Sequence, residues 1–205
     1  MLKLGLSAFL ILSLAGTPIL AEDALAQDLT PAPKEAPAIL SPEALHKARL
    51  DKLFGQLKRE NSENAAEIAA GQIWRLWFTS GSATVDLLMQ WSAKAIKDRK
   101  VNVALDFLNQ VVALDPKYAE GWNQLATIYY MTGDYAKAMA DIDRTLQLEP
   151  RHFGALAGLA QIMEATGHKK RALEAYEKVL AIYPMMRSAQ TKVEALTQEL
   201  AGQPI

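Results

Sequence analysis

The chain of 205 residues contains no cysteine, which excludes structural disulfides, thiol catalysis and thiolate metal sites. It has three histidines, His46, His152 and His168, and no two of them stand one helical turn apart beside an acid, so no metal site is expected. His152 and His168 fall at a junction and a turn between apolar stretches, where exposed polar side chains are ordinary. There is no Gly-x-Ser-x-Gly turn, no Ser-x-x-Lys beside a partner motif and no phosphate-binding glycine loop. Catalysis has no visible home, and no cofactor is expected. An excess of one charge is also missing: 22 Lys and Arg face 23 Asp and Glu. Nothing therefore drives nucleic-acid binding by counterion release, and the one short basic run, Lys169 to Arg171, reads as a solvated turn rather than a grip on anionic lipid.

What the chain does have is a repeat. Pro116, Pro150 and Pro184 stand 34 residues apart, and the apolar pattern around them recurs in register. Leu88, Trp122 and Leu156 form one column; Trp91, Leu125 and Leu159 a second; Ser92, Ala126 and Ala160 a third; Ala104, Ala138 and Ala172 a fourth; Leu108, Ile142 and Tyr176 a fifth. In the central copy Trp122, Leu125, Ala126 and Tyr129 share one helical stripe, and Ala138, Ile142 and Thr145 form another. Between them Gly133 suits the positive φ of a helix end and Asp134 suits a cap, so each copy is a helix, a turn and a helix. Ala126 and Ala138 let the two helices approach closely. Pro150 ends the second helix, because it lacks an amide hydrogen and biases Glu149 away from helical torsions.

This pattern resembles the tetratricopeptide repeat (TPR), and the resemblance implies an all-α solenoid of stacked antiparallel hairpins. The frame divides the chain into an irregular N-terminal helical hairpin at 41–84, a degenerate repeat at 85–118, full repeats at 119–152 and 153–186, and a capping helix at 187–200. The degenerate copy carries Arg99 and Lys100 in place of the turn glycine and aspartate. The N-terminal hairpin is read from the stripe Leu50, Leu53, Phe54 and Leu57 and the stripe Ile73, Trp74, Trp77 and Phe78, with Ser41-Pro42-Glu43 as a helix start. Its aromatics are expected in the core rather than on a stacking platform. Trp91 and Trp122 are likewise expected against neighbouring helices. The last helix has one apolar stripe, so deleting residues beyond Pro184 is expected to cost solubility more than activity.

The N-terminus reads as an address. Lys3 precedes an uncharged apolar run from Leu4 to Ala21, and Ala21 and Ala26 are candidate cleavage points for a secretory signal peptide, with 1–26 favoured. An uncleaved anchor is the alternative. Residues 27–40, with Pro31, Pro33 and Pro37, have the composition of a linker. Cleavage after Ala26 would leave 21 basic and 21 acidic residues, because Lys3, Glu22 and Asp23 are lost. A periplasmic protein without stable membrane insertion is the expectation.

Resemblance to the TPR family further implies a concave groove lined by columns two, five, nine, twelve and thirteen of each repeat, counting Ala119 as column one of the central copy. The residues selected as partner-binding candidates are Asn123, Thr127, Tyr130, Met131, Gln161 and Met89. Only Asn123 and Lys97 at these columns match the lysines, arginines and asparagines with which some TPR domains clamp an acidic tail, so that function is rejected. The expected ligand is a protein or peptide segment without strong charge. The chain is also similar to small exported TPR proteins of alphaproteobacteria, to which a part in cell-envelope integrity is attributed; the Ile73 to Trp77 stretch contributes to that likeness. The leading expectation is a non-enzymatic periplasmic scaffold serving the envelope. An assembly factor for a secretion or cytochrome-maturation complex, and a regulator of a cell-wall enzyme, are the alternatives. The sequence leaves open a groove filled by a second copy.

Overall fold

The computed structural model describes residues 41–202, so the expected signal peptide and linker lie outside the described residues. Within them the chain forms helices joined by short turns. The first, α1 (Pro42–Arg59), starts at Ser41, whose hydroxyl accepts the Ala44 amide at 3.1 Å, and α2 (Glu63–Trp77) returns antiparallel to it. Three hairpins follow: α3 (Ala83–Lys97) with α4 (Val101–Leu114), α5 (Ala119–Met131) with α6 (Tyr135–Leu148), and α7 (Phe153–Ala165) with α8 (Lys169–Ile182). A single helix, α9 (Arg187–Ala201), closes the array. No described helix is long and apolar enough to cross a membrane.

The hairpins are alike because their turns and small-residue columns are alike. Gly133 and Gly167 take φ of 79° and 80° at the two regular turns, and the Asp134 carboxylate accepts the Lys137 amide at 3.2 Å. In the degenerate copy Arg99 adopts φ 58° at the same position, so the packing of α3 on α4 imposes the left-handed turn on a residue that resists it. Ala126, Ala138, Ala160 and Ala172 are all buried where the paired helices touch.

Tiers stack through a second stripe, at columns three, seven and ten. On α5 these are Gly121, Leu125 and Ile128; on α7, Ala155, Leu159 and Ile162; on α9, Ala189, Val193 and Leu196. Each set packs onto the preceding hairpin, Leu125 and Ile128 among Val85, Leu108 and Val111, and Ala155 and Ile162 among Ala126, Ala138 and Ile142. The fit at Gly121 is close, since a Cβ there would stand 2.7 Å from Val111 Cγ1. Thus α9 stacks as the first helix of a fourth unit would.

The N-terminal hairpin takes a different place from the one that succession along the solenoid suggests. Helix α2 hardly touches α3. Instead α1 and α2 fold back along the edge where one repeat passes into the next, and Leu53, Phe54, Leu57, Ile73 and Trp77 share a core with Phe153, Tyr176, Val179 and Tyr183. Arg151 pairs with Asp51 at 2.7 Å and covers the Phe54 ring at 4.2 Å, and Arg187 pairs with Glu63 at 2.7 Å. These ties hold the hairpin as a strap across the last two junctions.

Asp141, on α6, gives a pH prediction. One of its carboxylate oxygens is buried with no hydrogen-bond partner, and desolvation pushes the carboxyl up to about 6. A folded-state value above the unfolded one means that the stabilising protonated form is lost as pH rises through about 6. Asp141→Asn is therefore expected to stabilise the fold at pH 7.5 by about 1 kcal/mol, allowing for screening of a half-exposed group, and to have no effect near pH 4. Urea melts at the two pH values check this, and an equal gain at both would refute it.

Candidate functional site

The concave face holds a groove of about 510 Å³ between α7 and α9, bounded by Tyr130 on α5. Column geometry explains its lining: Ala157, Gln161, Glu164 and Ala165 occupy columns five, nine, twelve and thirteen of the third repeat. Helix α9 supplies the opposite wall through Ser188, Ala189 and Lys192. Lys192 pairs with Glu164 at 2.7 Å, and the Tyr176 hydroxyl donates to the other Glu164 oxygen at 3.4 Å. Burial, followed by the Glu164 charge, pushes the Tyr176 hydroxyl up, so it stays a proton donor. The groove is mildly apolar, and its fixed charges are already paired.

Of the six residues selected from sequence, the groove brings together Tyr130 and Gln161. Met131 lies beside Tyr130 with 66% of its surface exposed, and Thr127 is exposed but turns its hydroxyl onto the Asn123 carbonyl at 2.9 Å. The other two are placed differently. Met89 is buried in the core shared by α3, α4 and α5, because column five of the first copy faces inward there. Asn123 is buried as well, and its amide donates to both oxygens of Glu120 at 3.2 Å. Neither can offer a surface to a partner.

The neighbourhood of Asn123 is a polar network that sequence reasoning missed. Glu120 is fully buried, and His152, expected at an exposed junction, is 0% exposed. The Ala155 amide donates to His152 Nδ1 at 3.1 Å, which leaves the ring proton on Nε2, 3.0 Å from Glu120 Oε2. A buried carboxylate is thus satisfied by an imidazole N–H, the Asn123 amide and the Gln124 amide. Trp77 stacks on the His152 ring at 4.0 Å and 9°, and Trp74 packs so close to Gly154 that a Cβ there would lie 2.6 Å from the ring. The available signal was an acid at column two of one repeat and a histidine at the last position before the next. The network ties α5, α7 and the N-terminal hairpin together. The Glu120 and His152 side chains are shut off from solvent. Among the described residues no group of three His, Cys, Asp or Glu is arranged to hold a metal.

Comparison with known proteins follows the same frame. The family model for the tetratricopeptide repeat matches residues 119–152, and a second model of that repeat matches residues 153–184. A TPR repeat-containing protein of Rhizobium etli is 49% identical over 156 residues, which is 76% of each chain. The chain belongs to the tetratricopeptide repeat family. Such repeats make scaffolds for protein–protein interaction. Serine/threonine-protein phosphatase T of Trypanosoma brucei brucei is 29% identical over 121 residues, which is 59% of this chain and 25% of the phosphatase. Among solved structures, the first TPR of Spaghetti (RPAP3) bound to the HSP90 peptide SRMEEVD matches with a TM-score of 0.56 at 22% identity, covering 59% of this chain and 96% of that one. MamA matches with a TM-score of 0.53 at 19% identity, covering 76% and 82%. At these identities the TPR fold is what is shared.

Proposed function

We propose that this TPR protein is an exported, non-enzymatic scaffold of the periplasm that holds a weakly charged segment of a protein partner in the groove between α5, α7 and α9, in support of cell-envelope integrity or assembly. The observation that carries this reading is the groove itself: an open, mildly apolar trough with Tyr130 and Gln161 at its wall and its one lining lysine, Lys192, held by Glu164. Gln161 can hydrogen-bond a peptide backbone, and the ring of Tyr130 offers apolar surface to a side chain beside it. Spaghetti holds the acid-rich peptide SRMEEVD on the same fold. Here a partner carboxylate would have to displace Glu164 from Lys192, which favours an uncharged segment. The charge-free apolar run from Leu4 to Ala21 supports export.

The test is affinity capture from an envelope extract with the wild type and with Tyr130→Ala, Gln161→Ala. Replacing these two, rather than the buried Asn123, leaves the polar network intact. The captured partner is expected to fall at least about tenfold in the double variant, the loss of one or two well-placed contacts, while the helical melt stays within a few degrees of wild type. A partner retained by the variant, or lost only together with the melt, would remove the groove assignment.

A further inference from the structure

The open end of the array is apolar where a terminal repeat should be polar. At columns three, seven and ten, the stripe through which α5, α7 and α9 each stack on a preceding hairpin, α3 carries Leu87, Trp91 and Lys94. Among the described residues no hairpin precedes α3 on that side, because α1 and α2 are strapped along the junction edge instead. Leu87 is 42% and Trp91 46% exposed, although the sequence pattern places Trp91 against a neighbouring helix. Helix α4 continues the same face. Val103 is 40% exposed, and Phe107 meets Trp91 with ring centroids 5.5 Å apart. The corresponding residues of the second copy are Lys137 and Asp141, and of the third Arg171 and Ala175. The first copy is therefore more apolar on this face than the inner copies are at the same columns. An end that met only water would carry the opposite bias, since terminal repeats need a polar outer face.

We propose that the α3–α4 face, centred on Leu87, Trp91, Val103 and Phe107, is a dimer interface that takes the same face of a second copy of this chain. Continuity with the stacking inside the chain supports a helical hairpin as the occupant, because Leu87 and Trp91 hold columns that bury hairpin on hairpin at the inner tiers. The far end of the array offers no site for head-to-tail growth, since α9 and the strap already cover α8. A two-fold pair, in which one patch meets its own copy, is the arrangement left, and it closes at two chains. Charge does not oppose such a pair: Lys94, at the rim of this face, is already matched by Asp98 at 3.0 Å within the chain. The concave groove lies on a different surface and stays open in such a pair.

The experiment is light scattering coupled to size exclusion on the full chain from about 5 to 200 μM, a span chosen to cover micromolar association, with Trp91→Glu and Val103→Lys alongside. Val103→Lys writes into the first copy the residue type that the second copy has at that column, so the helical fold accepts it. The wild type is expected at twice the monomer mass, and both variants at the monomer mass with far-UV spectra and melts like those of a monomeric hairpin array. A wild type that is monomeric throughout overturns the proposal. So do variants that remain dimers, which would place the interface elsewhere, and masses that climb beyond two chains, which would mean open-ended stacking.

Discussion

Replacing His152 with alanine is expected to remove about 3–5 kcal/mol of stability, the loss seen when one partner of a buried pair is deleted and the other is left behind. The Glu120 carboxylate loses its imidazole donor in a site that water does not reach. Its remaining donors are the side-chain amides of Asn123 and Gln124, too few to hold a full charge away from solvent. Two further losses come with it. The Ala155 amide at the start of α7 loses its cap, which costs about 1 kcal/mol, and Trp77 loses the ring it stacks on, so the strap loosens from the repeat junction. For a domain of this size the melting temperature should fall by about 10 °C or more. The double variant Glu120→Gln, His152→Ala separates charge from packing. It should recover part of the loss, since no ion is then stranded. If His152→Ala melts within about 2 °C of wild type, a shift worth under 1 kcal/mol, the network does not hold the tiers together.

The repeat frame was legible because a hairpin array obliges the same column to do the same work in each copy. Three prolines and five columns in one register leave no other fold, and Arg99 shows how strongly the frame rules, since it takes the glycine conformation without being glycine. The stripe of Trp74 and Trp77 said that this face is buried, but an apolar stripe does not name what buries it. A hairpin at the N-terminus of a solenoid suggests the next tier in line, whereas the shared core with Phe153 and Tyr183 lies two tiers beyond that one. The same gap explains the site. Tyr130 and Gln161 were found because their columns face the groove in regular repeats. Asn123 was misplaced because its amide is taken up by the buried Glu120, which in turn is held by His152 from outside the groove columns. Met89 was misplaced because column five is buried in every copy, as Asn123 and Ala157 also are. Lys192 was missed because α9 looked like a lid with one working face, and Lys192 borders the groove from column six, outside the groove columns.

That double role of α9 reverses the expected result of truncation. Ending the chain at Met186 should abolish partner capture and also destabilise the fold, rather than reduce solubility alone. Leu196 is 3% exposed and Ala189 1%, and with Val193 they cover the apolar side of α8. Leaving Tyr176 and Val179 to water while losing two branched aliphatic contacts costs about 4 kcal/mol, at 1.5–3 kcal/mol for each side chain. The ion pairs of Arg187 with Glu63 and of Lys169 with Glu199 go as well, but exposed pairs add little. The groove loses Met186's neighbours Ser188, Ala189 and Lys192, so a segment held there has one wall left. A point variant divides the two effects: Lys192→Ala keeps α9 packed on α8 through Leu196 and Ala189 but frees Glu164 in the groove. It should weaken partner affinity by about three- to tenfold, the weight of one ordinary hydrogen bond, with the melt unchanged. Titration of the captured partner and a thermal melt on the same samples decide the matter, and a truncated chain that still binds with wild-type affinity would show that α9 covers the array without shaping the groove.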